Sequence, residues 1–169
     1  FDIDAARISE LKQGIDRTGE MSGEMLRGSR IDFSDDAAEL ASCNIFIITV
    51  PTPVDDHQQP DLSIVKAACA TIAPALRTGA VVVLESTVYP GVTEDICGPE
   101  LAAGSGLTAG MDFFLGFSPE RINPGDKEHT VSKITKVVAG QTPEVTNFLA
   151  QIYGAMTEGN VFKAKNIRT

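Results

Sequence analysis

The run Val81-Val82-Val83-Leu84, followed at once by Glu85-Ser86-Thr87 and then by Pro90-Gly91, limits the possible folds of this chain more than any other stretch. Four consecutive apolar residues, three of them β-branched, predict a short strand covered on both faces. That is the pattern of a parallel sheet flanked by helices, where neither face meets water. An acid and two hydroxyls stand where the strand ends, and Pro-Gly turns the chain. In open α/β sheets ligands bind outside the carboxyl ends of the strands, so Glu85 to Thr87 mark the place where a site is expected.

Other segments repeat the arrangement. Asn44 to Val50 predicts a second buried strand, and Pro51-Thr52-Pro53 ends it because proline cannot donate to a sheet ladder. Asp61 is placed to cap a helix from Leu62 to about Leu76, with Ile64, Val65, Ala68 and Ile72 on one face and Gly79 as the stop. Strand, helix and strand at this spacing make a βαβ unit, which is parallel and right-handed in nearly all cases. Thr93 then heads a helix reaching about Ala103, broken or restarted at Pro99. Phe113 to Phe117 is a third strand, ending in Ser118-Pro119-Glu120-Arg121, and Lys136 to Ala139 is a fourth. Thr142-Pro143-Glu144 combines a cap, a proline at the first helical position and an acid in the first turn. Val145, Phe148, Leu149 and Ile152 form the inward stripe of that helix, Gly154 closes it, and Val161 to Lys163 is a last strand.

The chain opens on Phe1-Asp2-Ile3-Asp4 without an initiator Met, which reads as the tail of a strand whose body is missing. Asp4 caps a helix over Ala5–Lys12 with Ile8, Leu11 and Ile15 as its buried stripe, and Gly14 ends it. Residues 16–30 read as loop with a turn of helix near Glu24. Arg30 to Phe33 is a short strand, and Ser34 or Asp35 caps a helix containing Ala37, Ala38 and Leu40. The expected fold class is α/β, a Rossmann-like, doubly wound, mainly parallel sheet, incomplete because its first strand is absent. With all strands parallel, Asp2, Pro51 to Pro53, Glu85 to Thr87 and Ser118 to Arg121 share one edge. The bland alternative is that loops of any α/β domain are polar.

Asp2 sharpens the reading. In a dinucleotide-binding fold, an acid at the tip of the second strand accepts hydrogen bonds from the adenosine ribose, and its charge repels the extra phosphate of NADP, so NAD is the expected cofactor. Gly104, Gly106 and Gly110 do not have the fingerprint spacing and precede a strand, so they are a loop.

Composition narrows the partners. A 169-residue chain with 43% hydrophobic residues supports one cored domain, and a net charge of -9 argues against nucleic acid or an anionic membrane surface as the main partner. No apolar run approaches the roughly 20 residues of a membrane helix and Phe1 begins no signal peptide, so the cytoplasm is expected. Cys43, Cys69 and Cys97 fit neither a disulfide framework nor a zinc spacing, and read as reduced core thiols. His57 and His129 lie in polar loops; Asp55 and Asp56 beside His57 form only a weak cation site, and no metal is expected.

FDID with Arg7 behind it, VPTP at 50–53, ESTVYPGVTE at 85–94 and SPERINPGD at 118–126 together resemble the UDP-glucose/GDP-mannose dehydrogenase family. The last motif, followed by Lys127-Glu128-His129, is most similar to the branch that oxidises UDP-N-acetylhexosamines for bacterial surface polysaccharides. The resemblance covers essentially the whole chain. It implies a four-electron oxidation of a sugar C6 alcohol to a carboxylate with two NAD molecules in turn, through a cysteine-bound thiohemiacetal and a thioester that water hydrolyses.

By motif position the resemblance gives Asp2 and Arg7 to the adenosine end of NAD, Pro51 and Thr52 to the dinucleotide path, and Ser86 and Thr87 to the nicotinamide end. It gives Thr87 a bound water and Glu120 the part of base or water-orienting group in hydrolysis. Glu120, Arg121, Ile122 and Asn123 then shape the UDP-sugar site. The plain alternatives are a turn hydroxyl for Thr87, and a solvated acid or a partner of Arg121 for Glu120.

Pro124 stands where many relatives carry a second acid, which puts a role for that acid in doubt. The family's glycine-rich loop is expected before Phe1 and its catalytic cysteine beyond Thr169, and none of the three cysteines here takes a covalent role. The expectation is therefore most of the NAD-binding domain of a larger, homodimeric enzyme, unable to turn over alone. The rivals are a β-hydroxyacid or 6-phosphogluconate-type dehydrogenase and a non-catalytic nucleotide-binding module.

Overall fold

The computed structural model describes residues 1–54, 59–119 and 134–168. They fall into two units, Phe1–Ser42 and Cys43–Thr169.

The larger unit is built on a five-stranded sheet in the order β1 (Ile45–Ile48), β2 (Val81–Leu84), β3 (Phe114–Phe117), β4 (Lys136–Gly140), β5 (Val161–Lys163). β1, β2 and β3 are parallel, with Ile45 opposite Val81 and Val81 opposite Phe114. β4 runs antiparallel to β3, and β5 is parallel to β4. Mainly parallel is therefore right, whereas the expectation that Lys136 to Ala139 runs parallel to the earlier strands is corrected: an apolar run carries no direction. The reversal places Lys136, the first residue of β4, at the carboxyl ends of β2 and β3.

Both faces of β2 are covered, as four consecutive buried side chains require. On one face Val81 and Val83 pack with Val138 and with Val145, Leu149 and Tyr153 of helix α5 (Pro143–Met156). On the other, Leu115 lies against helix α4 (Gly98–Ser105), where a Cβ on Gly98 would stand 3.2 Å from its Cδ1. Helices on both faces make the sheet doubly wound. β1 departs from the expectation of a strand buried throughout, since Phe46 and Ile48 are buried but Ile45 and Ile47 are 38% and 43% exposed among the described residues.

Local chemistry corrects several helices. The helix after Asp61 is α3 (Ser63–Ile72), and it tightens into a 3-10 turn at Ala73–Ala75 because Pro74 lacks the N–H that would continue it. Asp61 still accepts from the Ser63 N–H at 2.8 Å. Thr93 caps nothing: it is buried inside a π-helical segment, Val92–Cys97, that begins after Gly91 (φ 100), and α4 then starts with Pro99 in its first turn. α5 is capped by Thr142, which accepts from the Val145 N–H at 3.3 Å. It runs through Gly154, and Tyr153, not Phe148, completes its buried stripe.

The smaller unit holds helices α1 (Ala5–Lys12) and α2 (Gly23–Gly28) and a 3-10 turn at Ala37–Ser42. Asp4 caps α1 by accepting from the Arg7 N–H, and Ser22 caps α2. Ile8 and Leu26 are its buried apolar residues, while Ile15 is 52% exposed and leaves the expected stripe. Arg30 to Phe33 forms no strand here. Next to it, the Asp2 N–H donates to the Ser34 carbonyl at 3.0 Å.

Candidate functional site

The carboxyl ends of β1 and β2 are joined by side chains. The Glu85 N–H donates to the Ile48 carbonyl at 2.9 Å, continuing the ladder by one residue. Beyond it, Ser86 Oγ donates to the Val50 carbonyl at 2.6 Å, and Thr52 Oγ1 donates to the Thr87 carbonyl at 2.8 Å. Proline cannot continue a ladder at Pro51 and Pro53, so hydroxyls take over the pairing that backbone N–H groups would otherwise supply. Pro51, Thr52, Ser86 and Thr87 are thus brought to one place. Ser86 is buried and its hydroxyl is engaged with backbone, whereas Thr87 is exposed at the rim.

A second set of polar contacts gathers the ends of β2, β3 and β4. The fully buried Ser118 donates from its N–H to the Leu84 carbonyl at 3.0 Å and from Oγ to the Val137 carbonyl at 2.9 Å. Lys136, 5% exposed, places Nζ 3.4 Å from Glu85 Oε1, 3.5 Å from the Pro119 carbonyl oxygen and 5.4 Å from the centre of the Tyr153 ring. Reasoning from sequence saw Lys136 only as the start of a strand. The sequence signal was a lysine opening an otherwise apolar run, but the parallel direction expected for that strand put it at the edge away from Glu85.

In the smaller unit, Asp2 Oδ1 accepts from the Asp4 N–H at 3.0 Å and Oδ2 lies 3.8 Å from Arg7 Nε. Both side chains remain about two-fifths exposed, at 38% and 41%. A carboxylate held in this way by one backbone donor keeps acceptor positions for a vicinal diol, so the pair fits the ribose of a dinucleotide. Asp4 is held below the usual carboxylate range, chiefly by the Arg7 N–H and also by Arg17, whose guanidinium is 3.0 Å away. Asp16 is brought down to about 2, first by the Met21 N–H and then by Thr18 and the Glu20 N–H. An open concavity of about 680 Å³ in this unit is lined by Leu11, Lys12, Leu26, Arg27 and Phe33 among others, and holds none of the expected site residues.

Glu120, Arg121, Ile122 and Asn123 lie outside the described residues, as do Pro124, His57, His129, Asp55 and Asp56. Among the described residues no cluster of His, Cys, Asp or Glu is placed to hold a metal ion. Cys43, Cys69 and Cys97 are free thiols. The neighbouring thiol of Cys97 and burial push Cys69 well up, which leaves it protonated and inert. Among the described residues no helix is long and apolar enough to cross a membrane.

Comparison with known proteins agrees with this fold. The profile of the NAD binding domain of the UDP-glucose/GDP-mannose dehydrogenase family matches residues 1–157. UDP-N-acetyl-D-glucosamine 6-dehydrogenase of Pseudomonas aeruginosa is 48% identical over 169 residues, covering 99% of this chain and 40% of the relative. Protein CapL of Staphylococcus aureus is 47% identical over 168 residues, again covering 99% and 40%. The solved UDP-D-ManNAc dehydrogenase of Pyrococcus horikoshii superposes with a TM-score of 0.87 at 29% identity, over 98% of this chain and 40% of that one. The chain thus spans about two-fifths of the length of these relatives. It belongs to the UDP-glucose/GDP-mannose dehydrogenase family, of which it carries the NAD-binding domain.

Proposed function

We propose that this chain is the NAD-binding part of a longer UDP-sugar 6-dehydrogenase, which oxidises the C6 alcohol of a UDP-N-acetylhexosamine to the uronic acid for surface polysaccharide synthesis. The observation that carries the reading is the hydroxyl-sewn junction of Thr52, Ser86 and Thr87 at the carboxyl ends of parallel strands, in a chain of this family. The hexosamine class rests on the name of the 48% identical relative from P. aeruginosa.

Bound NAD would supply the hydride acceptor for oxidation of the sugar carbon. Asp2 receives the adenosine ribose hydroxyls, with Arg7 beside it. Pro51 and Thr52 would line the path of the dinucleotide, and Ser86 with Thr87 would hold its nicotinamide end. Thr87 faces the nicotinamide end and holds the water used in hydrolysis. Glu120 orients or deprotonates that water, and Arg121, Ile122 and Asn123 contact the sugar nucleotide. The covalent step belongs to a cysteine outside these residues, so the 169-residue chain alone is inactive. The complete enzyme is a cytoplasmic homodimer.

The test is a turnover assay of the complete protein with UDP-N-acetylglucosamine and NAD. The expected result is two NADH formed for each sugar oxidised, with none from residues 1–169 alone. Turnover by the isolated chain, or oxidation of a β-hydroxyacid in place of any UDP-sugar, overturns the reading.

A further inference from the structure

We propose that Lys136 is a positioning residue for the strand-end site: its ammonium clasps the Glu85 carboxylate and the Pro119 carbonyl, and so fixes the segment that carries Ser86 and Thr87. The reading of Thr87 as part of a dehydrogenase site is the one given above, and the clasp rests on it only for its effect on turnover.

The argument begins with cost. Lys136 and Glu85 side chains are 6% and 14% exposed, so both charges have left most of their water. Desolvating two such ions costs several kcal/mol each, and well-packed apolar residues of similar volume are often as stable or more so. Stability therefore does not explain the pair. What a charged pair does that apolar packing does not is select one geometry, because only one arrangement satisfies both groups.

Position says which geometry is selected. Glu85 follows the last residue of β2 and directly precedes Ser86, and Pro119 follows Ser118 at the end of β3. One ammonium, from the first residue of the antiparallel β4, reaches both at 3.4 and 3.5 Å while lying over the Tyr153 ring of α5. Ser118 makes a parallel link from β3 to both neighbours. With Ser86 and Thr52 tying β2 to the chain after β1, the segment Glu85–Thr87 is held from both sides.

The complete protein carrying Lys136→Met together with Glu85→Met tests this, because removing both charges leaves no unpaired ion in the core. The expected outcome is a melting temperature close to the parent's, with hydrogen exchange of the peptide spanning 85–92 roughly ten times faster or more. In the turnover assay kcat falls about tenfold or more while KM for NAD changes by less than about threefold, the split expected when a reacting group is misplaced and cofactor binding is kept. Exchange and kcat both within about twofold of the parent overturn the proposal and leave Lys136 a packing residue. If the double variant does not fold, Glu85→Gln decides: it keeps an acceptor but removes the counter-charge, so severalfold faster exchange supports the clasp and unchanged exchange refutes it. A parent protein that reduces no NAD with any UDP-sugar defeats the functional reading alone, and the exchange measurement still judges the clasp.

Discussion

Asp2 and Asp16 show how far a single carboxylate is set by the N–H groups around it. Asp2 is oriented by one backbone donor and stays partly open to solvent, which leaves the proposed ribose contact available. Asp2→Asn keeps the shape and removes the charge. Charge-assisted hydrogen bonds contribute roughly 1.5–3 kcal/mol, so NAD should bind about ten to a hundredfold more weakly by calorimetry, with the preference over NADP reduced. Unchanged affinity contradicts the assignment.

Asp16 is the opposite case, engaged by the Thr18 N–H and hydroxyl and by the N–H groups of Glu20 and Met21. Its folded value of about 2 lies below the unfolded value near 3.8. Its contribution to the 16–21 turn is therefore complete above about pH 4 and lost as pH falls towards 2. A carboxyl titration followed by NMR should show a midpoint near 2; a midpoint at the ordinary value refutes the network. Sequence made Asp4 and Thr142 legible because capping is a local act between residues three apart. It could not reveal Lys136, whose partners sit at the ends of two other strands.

At the level of elements, apolar patterning located β2, β3 and α5 because each buries a stripe or a run that shows in the sequence. It failed where backbone geometry decides. Strand direction leaves no mark on composition, so the reversal at β4 was not readable, and the strand expected at Arg30 to Phe33 has no ladder partner in its own unit. The contact between β4 and the first turn of α5 is equally silent in sequence. A Cβ on Gly140 would stand 2.5 Å from the Thr146 backbone nitrogen and 2.8 Å from the Val145 carbonyl carbon, and backbone cannot yield as a side-chain tip can.

Gly140→Ala should therefore destabilise the larger unit by about 1–3 kcal/mol in a denaturant melt. Gly28→Ala, at the end of α2 with nothing within 4 Å of the new methyl, is the control and should be neutral or stabilising by about 0.5–1 kcal/mol. Thr142→Ala should cost about 1 kcal/mol through loss of the α5 cap. If Gly140→Ala melts like Gly28→Ala, the close approach of α5 to β4 is wrong.

For the molecule as a whole, the family and the doubly wound sheet were legible because four motifs fall in order along the chain, three of them beginning just past the ends of β1, β2 and β3, and strand ends are where this class of fold places its ligands. What the sequence alone could not supply is the pairing of Thr52 with Thr87 and of Ser86 with Val50, which joins residues 35 and 36 positions apart. The central proposal is that the junction of Thr52, Ser86 and Thr87 in the larger unit receives the nicotinamide end of NAD. A crystal structure of the complete protein with NAD tests it most directly. The account predicts the nicotinamide ring beside Ser86 and Thr87. A dinucleotide bound away from the β1–β2 junction, or with its two ends exchanged, would contradict it.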